Sequence, residues 1–517
     1  MGRVLTNNVA LSYAIETAPG TPGADWVQME PNGISTFGAT ITTVARDPIS
    51  QFRQRRKGTT TDLDSTAEFE ADLTLSSFRD FIEGYVFATG VNSDVTQLSA
   101  AAAETTGDTY TGLTAFTAEQ AAKFAVDTLV WVSGGANSAN IGLKTIAAAA
   151  STSDTDLDVN EDLVDETAPF QVSFAGHRIV AGDSVTWTWD GASDLATLAE
   201  TGLGTQLLTL GLSEGQMIHV GSVAQIGGAI QNAFENAAAN DMFGYARVNS
   251  ISADAVVFDK VDAALQFTDG TDPAGAVDIV FGEFVRNVPV SDPGFLERTF
   301  TLEATFPNLG DGSAGNTDTS YQYSLGNYCS TVTFNLPLTD KATASFGFLG
   351  LDTENPTTTR RNGADSAFTP NQTSALNTTS DIARIRIPGV DVDGETTCFK
   401  SLNLTLNNNA SAEKCLGRLG AAFVNFGNFE VDIEAQLLFT SPGVIAAIRN
   451  NDTLTMDFIV KNDDGVIAVD LPSLTLGGGD REFPVNESVL INTTAQAFGD
   501  ANLASSIGVS LMPVPLP

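Results

Sequence analysis

A strand with an acidic face, followed at once by a short amphipathic helix, occurs twice in this 517-residue chain. Between Thr66 and Leu75, the residues Ala67, Phe69, Ala71 and Leu73 fall on one face of an extended segment, and Glu68, Glu70 and Asp72 on the other. Ser76 or Ser77 can then cap a helix in which Phe78, Phe81, Ile82 and Tyr85 stand at i, i+3, i+4 and i+7. Near the C-terminus Phe429, Val431, Ile433, Ala435 and Leu437 alternate with Glu430, Asp432, Glu434 and Gln436. Ser441 and Pro442 follow as N-cap and first-turn residues, ahead of Val444, Ile445 and Ile448. Each stretch must bury one strand face and leave the other in water. The pair reads as two copies of one unit.

The length implies about three to four domains. Net charge is -38, from 25 Lys+Arg against 63 Asp+Glu. A protein that grips nucleic-acid phosphates needs basic surface, so that class is excluded. Two His (His177, His219) and three Cys (Cys329, Cys398, Cys415) supply metal sites and Ser-His triads poorly. The odd, scattered Cys suit a reducing cytoplasm. Met1–Ala24 is polar and broken by Gly and Pro, with no secretory apolar core, and no apolar run is long enough to span a bilayer. The expectation is a protein made in the cytosol that leaves it, if at all, by lysis. The Asn-x-Ser/Thr triplets at Asn377, Asn451 and Asn492 then follow from Asn/Thr richness.

In chain order, Arg3–Pro22 reads as an extended arm anchored by Val4, Val9, Leu11 and Tyr13, and Ile34–Val44 as a first strand. Arg46, Arg53, Arg55, Arg56 and Lys57 then cluster in a chain with few cations. Residues 89–280 read as an Ala/Thr/Asp/Gly-rich insertion of two related small β modules, placed between halves of one unit where a surface loop tolerates additions. Residues 1–88 and 281–356 form the first, discontinuous unit. Residues 357–397 are a linker and connecting strand, and 398–517 the second unit. The fold expected is mainly β: two tandem sandwich units, each with one flanking helix, plus the inserted modules.

Catalytic templates find no purchase. There is no phosphate-cradling Gly loop with its Lys, no His pair at metal spacing and no nucleophile elbow. Asp391-Val392-Asp393-Gly394-Glu395 matches part of a calcium loop but lacks the remaining ligand positions, and reads as a solvated turn. No catalytic residue, metal or cofactor is assigned. The acidic strand faces read either as plain solvent faces or, being matched in both units, as a surface kept negative. The basic segment is either a solvated turn or a contact for an acidic copy of the same protein.

With these residues assembled, the chain resembles the tail tube (major tail) proteins of long-tailed bacteriophages. The resemblance rests on Ala45–Ser50 with Arg53–Gly58, on Ala67–Leu75 and its helix, on Phe281–Asn287, and on Leu402–Gly420 with Asn407, Asn408, Gly417 and Gly420. It touches both units, roughly half the chain; the insertion 89–280 resembles only the decorations such proteins carry, and would project outward from the ring and be dispensable for tube assembly. The resemblance implies β-sandwich subunits whose inner sheets join into a ring, with rings stacked around a tape-measure protein and DNA later passing through the bore without specific binding. Single-unit subunits form hexamers in this family, so two units per chain imply a trimer of pseudo-sixfold symmetry. The resemblance implies further contacts with tail-terminator and distal tail proteins, a place in the virion tail, assembly in the host cytoplasm, and no membrane partner. Glu68, Glu70, Asp72, Glu430, Asp432 and Glu434 would line the lumen and repel DNA. Arg46, Arg53, Arg55, Arg56 and Lys57, with Lys414 and Arg418 of the second long loop, would contact the adjacent ring.

The competing reading is a secreted or surface adhesin of repeated β modules binding carbohydrate or a receptor, with Trp187 and Trp189 as its aromatic site. A polysaccharide-degrading enzyme ranks third, for want of any site.

Overall fold

The computed structural model describes residues 4–516 except 50, 52, 76–78, 93–96, 153, 181–184, 224–229, 232, 237–238, 269–275, 311–317, 362–372, 389 and 391–397. The Ser76/Ser77 cap, Phe78 and the Asp391–Glu395 turn lie outside the described residues.

The protein is mainly β, and both units are built on one plan. In the first, Ala10–Ala18 pairs with Thr299–Phe306, which pairs with the long strand Ser320–Leu336. In the second, Ile382–Arg386 pairs with Leu454–Asn462, which pairs with the long strand Gly465–Glu482. These pairs form one sheet of each sandwich, labelled outer. The long strands then cross to the opposite sheet, labelled inner, where their C-terminal halves meet Thr343–Gly350 and Leu490–Ala497. Those strands in turn pair with the two acid-faced strands, Arg56–Asp72 and Glu430–Leu438. The N-terminal segment is thus an outer-sheet strand rather than an arm, because burying Leu11 and Tyr13 requires a sheet partner.

A short helix plugs the end of each sandwich. Arg79–Val86 buries Phe81, whose ring stands 5.4 Å from Phe346 and 5.2 Å from Phe300, one on each sheet. Gly443–Asn450 is its counterpart, and Ser441 Oγ accepts from the Gly443 N–H at 3.0 Å. Both helices pack into a single apolar core that runs through the two units.

Two boundaries differ from the sequence reading. Ile382–Arg386, expected as a connecting strand, is the first strand of the second unit and the equivalent of Ala10–Ala18. Glu283–Arg286, expected to resume the first unit, pairs with Gly508–Met512 at the end of the second. Hydrogen-bonding partners so distant in sequence leave no local periodic signal.

The insertion forms its own 12-stranded sheet, and it too repeats. Each half gives that sheet a hairpin, three strands and a closing strand, with a short helix after the hairpin: 97–111, Ala118–Lys123, 128–158 and Glu166–Ile179, then 186–199, Leu203–Thr209, 217–259 and Val277–Val280, the second half adding two small two-stranded pairs within 222–242. Matching strands pair alike, Thr109–Thr111 with Leu157–Asp158 and Leu195–Ala199 with Ala255–Asp259.

This insertion is docked hard on the second unit. Leu129, Met217 and Tyr245 share a buried cluster with Ile459, Val466, Ala468 and Met512. Asp470, 2% exposed, takes its cations from the insertion: Arg247 at 2.9 Å, and Lys260. Arg384 bridges Asp457 at 2.6 Å and the insertion's Asp262 at 2.5 Å. Burial alone would drive the Lys260 ammonium toward its neutral form, and Asp470 opposes that most strongly. Removing the partners of a buried charge costs about 3–5 kcal/mol. A variant lacking 89–280, closed with a Gly/Ser bridge, should therefore aggregate rather than assemble, contrary to the dispensability that composition suggests. Soluble protein with a cooperative unfolding transition would overturn this.

Candidate functional site

The alternation that buries Phe69, Ile433 and their neighbours turns the acids to the opposite face. The inner sheets of the two units are one sheet, because Ser320–Leu336 also pairs with Phe399–Asn407. Its strand order is Pro31–Arg46, Arg56–Asp72, Thr343–Gly350, Ser320–Leu336, Phe399–Asn407, Glu430–Leu438, Leu490–Ala497, Gly465–Glu482. That is eight antiparallel strands, four from each unit.

Residues directly opposite one another share a face, so the register prints the polar face in rows. One row reads Gly33, Glu70, Ser345, Thr333, Thr405, Asp432, Gln496, Thr475. The next reads Asp72, Thr343, Asn335, Asn403, Glu434, Thr494, Gly477. A third reads Thr36, Glu68, Gly347, Thr331, Asn407, Glu430. These rows hold acids, hydroxyls, amides and glycines, and no cation. All six acids named from the sequence fall on this face. Glu68, Glu70, Glu430 and Glu434 are exposed there, and Asp432 partly so. Asp72, at the end of its strand, is tied to Lys341 at 2.6 Å and to Asn32.

The hydroxyls and amides between the acids were missed. Their signal was present, since Leu402, Leu404 and Leu406 alternate with Asn403, Thr405 and Asn407. Thr333 and Thr405 bond through their hydroxyls at 3.1 Å where the units join.

The basic residues stand at one end of the sheet. Thr343–Gly350 covers only residues 65–72 of its neighbour. Residues 40–46 and 56–64 therefore continue as a two-stranded ribbon, which Lys414 braces at Asp62 and Asp64 near its base. Such a ribbon is marginal in water by itself. Ile41 and Val44 are exposed on it, and Ile49 is fully exposed at its tip. Arg46 lies directly opposite Arg56, a like-charge pairing that weakens a ribbon unless an anion is supplied. Arg55 pairs with Asp47 at 3.0 Å within the tip. Among the described residues, Arg46, Arg53, Arg56 and Lys57 make no ion pair.

The second loop behaves differently. Residues 408–429 fold back on the first unit, with Ala421 and Val424 packed against Tyr328 and Leu351. Asn408 Nδ2 donates to Tyr85 O at 2.9 Å and to Cys329 O at 3.0 Å. Lys414 is held inside the chain by Asp62 and by Asp64, at 2.5 Å from the latter. Those hydrogen bonds raise the Lys414 pKa and lower that of Asp62. Arg418 reaches Ala422 O of its own loop at 3.4 Å. The sequence grouped Lys414 and Arg418 with the first loop's cations, whereas here they brace the loop from which Leu416 protrudes fully exposed.

The aromatic pair of the adhesin reading does not form a surface. Trp187 is completely buried, its indole N–H donating to Leu265 O at 2.9 Å. Among the described residues, no group of His, Cys, Asp and Glu is placed to hold a metal, and no helix is long and apolar enough to cross a membrane. No curated protein matches the chain. The family model described as phage tail tube protein matches residues 6–497, which takes in both acid-faced strands and everything between them. The chain belongs to the phage tail tube protein family.

Proposed function

We propose that three copies close into a ring of pseudo-sixfold symmetry, that rings stack into the tail tube, and that the acid-bearing face lines a bore through which DNA leaves the capsid. One observation carries this reading: a repeated eight-stranded sheet whose rows of polar residues hold acids of both units and no cation. Duplex DNA carries about one charge per 1.7 Å of axis. A basic wall would hold it, whereas an acidic wall repels it over roughly a Debye length of 8 Å at physiological salt. The polypeptide then acts as a structural part of the virion tail. It polymerises with itself, encloses a tape-measure protein during assembly, and meets terminator and distal tail proteins at the ends. The insertion, docked on the outer sheet, faces outward and stiffens the second unit. Negative-stain microscopy of purified protein should show rings or tubes with a central channel. Monomers at every concentration and salt tested would remove the proposal.

A further inference from the structure

On the tube reading above, we infer that the joint between two copies repeats, residue for residue, the joint the chain already makes between its own units. Inside the chain the last inner strand of unit one meets the first of unit two, with Val332 opposite Leu406, Thr333 opposite Thr405 and Phe334 opposite Leu404. The two outermost strands are the equivalents of these, and each has an open side. Among the described residues, Pro31–Arg46 pairs only with Arg56–Asp72, and residues 475–482 pair only with Leu490–Ala497. Open strand edges of this length invite pairing and have to be covered.

The register follows from the repeat. The core-facing series Ala67, Phe69, Ala71 and Leu73 matches Val431, Ile433, Ala435 and Leu437, each closing on a buried leucine, so Glu70 corresponds to Glu434 and Glu68 to Asp432. Reading across the paired strands from those positions, Gly477 corresponds to Thr333, and Thr36 to Thr405. Gly477 therefore lies opposite Thr36 of a second copy, and Leu476 opposite its Phe37.

Burial supports the same conclusion independently. Leu404 and Leu406 are completely buried at the internal joint. Their counterparts Ile34 and Phe37 are only half-buried, packed against the core with one side uncovered. A neighbouring strand end with Leu476 supplies that cover. The two joints differ in one respect. Thr333 and Thr405 bond at the internal one, while Gly477, Gly478 and Gly479 leave the other to main-chain pairing. The copies thus meet through backbone alone along the bore.

Directly opposite residues in antiparallel strands lie about 4.5–5.5 Å apart at Cα, within disulfide reach. The test uses full-length protein with the exposed Cys398 and Cys415 changed to Ser. A Cβ at 477 meets only the rotatable Thr494 hydroxyl. Thr36→Cys with Gly477→Cys should oxidise to a ladder of covalent oligomers whose top rung counts the copies in a ring. Thr36→Cys with Thr475→Cys, displaced by two residues, should cross-link at least tenfold more slowly. Rings that cross-link better through 475 overturn the register. Rings that cross-link through neither overturn the edge joint. Absence of rings in the reduced protein overturns the tube reading itself.

Discussion

Tubes in which Glu68, Glu70, Glu430, Asp432 and Glu434 are all lysine should assemble normally and then hold the DNA they are meant to release. Asp72 is left unchanged, because it holds Lys341. Assembly should survive because these side chains make no core contact. The acids of the two units are also far apart across the sheet. Three neutral strands separate Glu70 from Asp432 along their row, ~19 Å at strand spacing. That exceeds a Debye length, so either sign of charge is tolerated equally by the fold.

The effect on DNA should be large and salt-dependent. The rows of the wild-type face carry no cation, and Lys341 at the end of the sheet is already paired with Asp72. Five lysines per chain, repeated around a ring, supply more than enough for the six to ten contacts that make affinity fall by about 10³–10⁵ between 50 and 200 mM salt. Purified variant tubes should therefore bind a short fluorescent duplex at low salt and release it at high salt, while wild-type tubes bind none. Phage carrying the variant should retain its genome after triggering. The matching Asn/Gln variant, which removes repulsion without adding attraction, should eject more slowly than wild type and bind no duplex. Normal ejection from the lysine variant would place these strands away from the bore.

How much of this could be read in the sequence depended on the range of the interactions. The acid-faced strands, their helices and the alternation in Leu402–Leu406 are set by neighbours one or two residues away, and they were apparent. The long strand Gly465–Glu482 is buried without a break from Gly465 to Leu474, so it carries no alternation there from which its change of sheets could be read. The docking of the insertion depends on Lys260 meeting Asp470 and Arg384 meeting Asp262, partners from separate elements that no local pattern joins. The brace between Lys414 and Asp62 spans the two units. The polar rows needed register as well as composition, since Ser345 and Thr333 mean little until the sheet sets them between Glu70 and Asp432.

Changing Arg53, Arg55, Arg56 and Lys57 together to Glu should give rings that form but do not stack. Beyond the Lys414 brace at Asp62 and Asp64, the ribbon that carries these residues extends past the sheet, with Ile41, Val44 and Ile49 exposed and Arg46 facing Arg56. A tip of exposed apolar side chains and facing cations is best matched by a surface both apolar and anionic. On a chain of net charge -38, the adjacent ring is well supplied with anions. Each exposed ion pair is worth about 0.2–1 kcal/mol, so a single reversal at Arg53 should merely shorten tubes. Four reversals replace attraction by repulsion at every arm in the ring, and the deficit grows with the number of copies. The tip itself has one competing partner: Asp47, now paired with Arg55, would face a carboxylate, so the tip is expected to open without disturbing the sheet below residue 65. Thermal unfolding should stay within about a degree or two of wild type, since exposed substitutions change stability by no more than ~0.5 kcal/mol. High salt should rescue stacking in part by screening the repulsion, and Ile49→Ala in the same background should abolish that rescue by removing the apolar anchor. Tubes of normal length from the quadruple variant would reduce the ribbon to a solvated turn and require another surface for stacking.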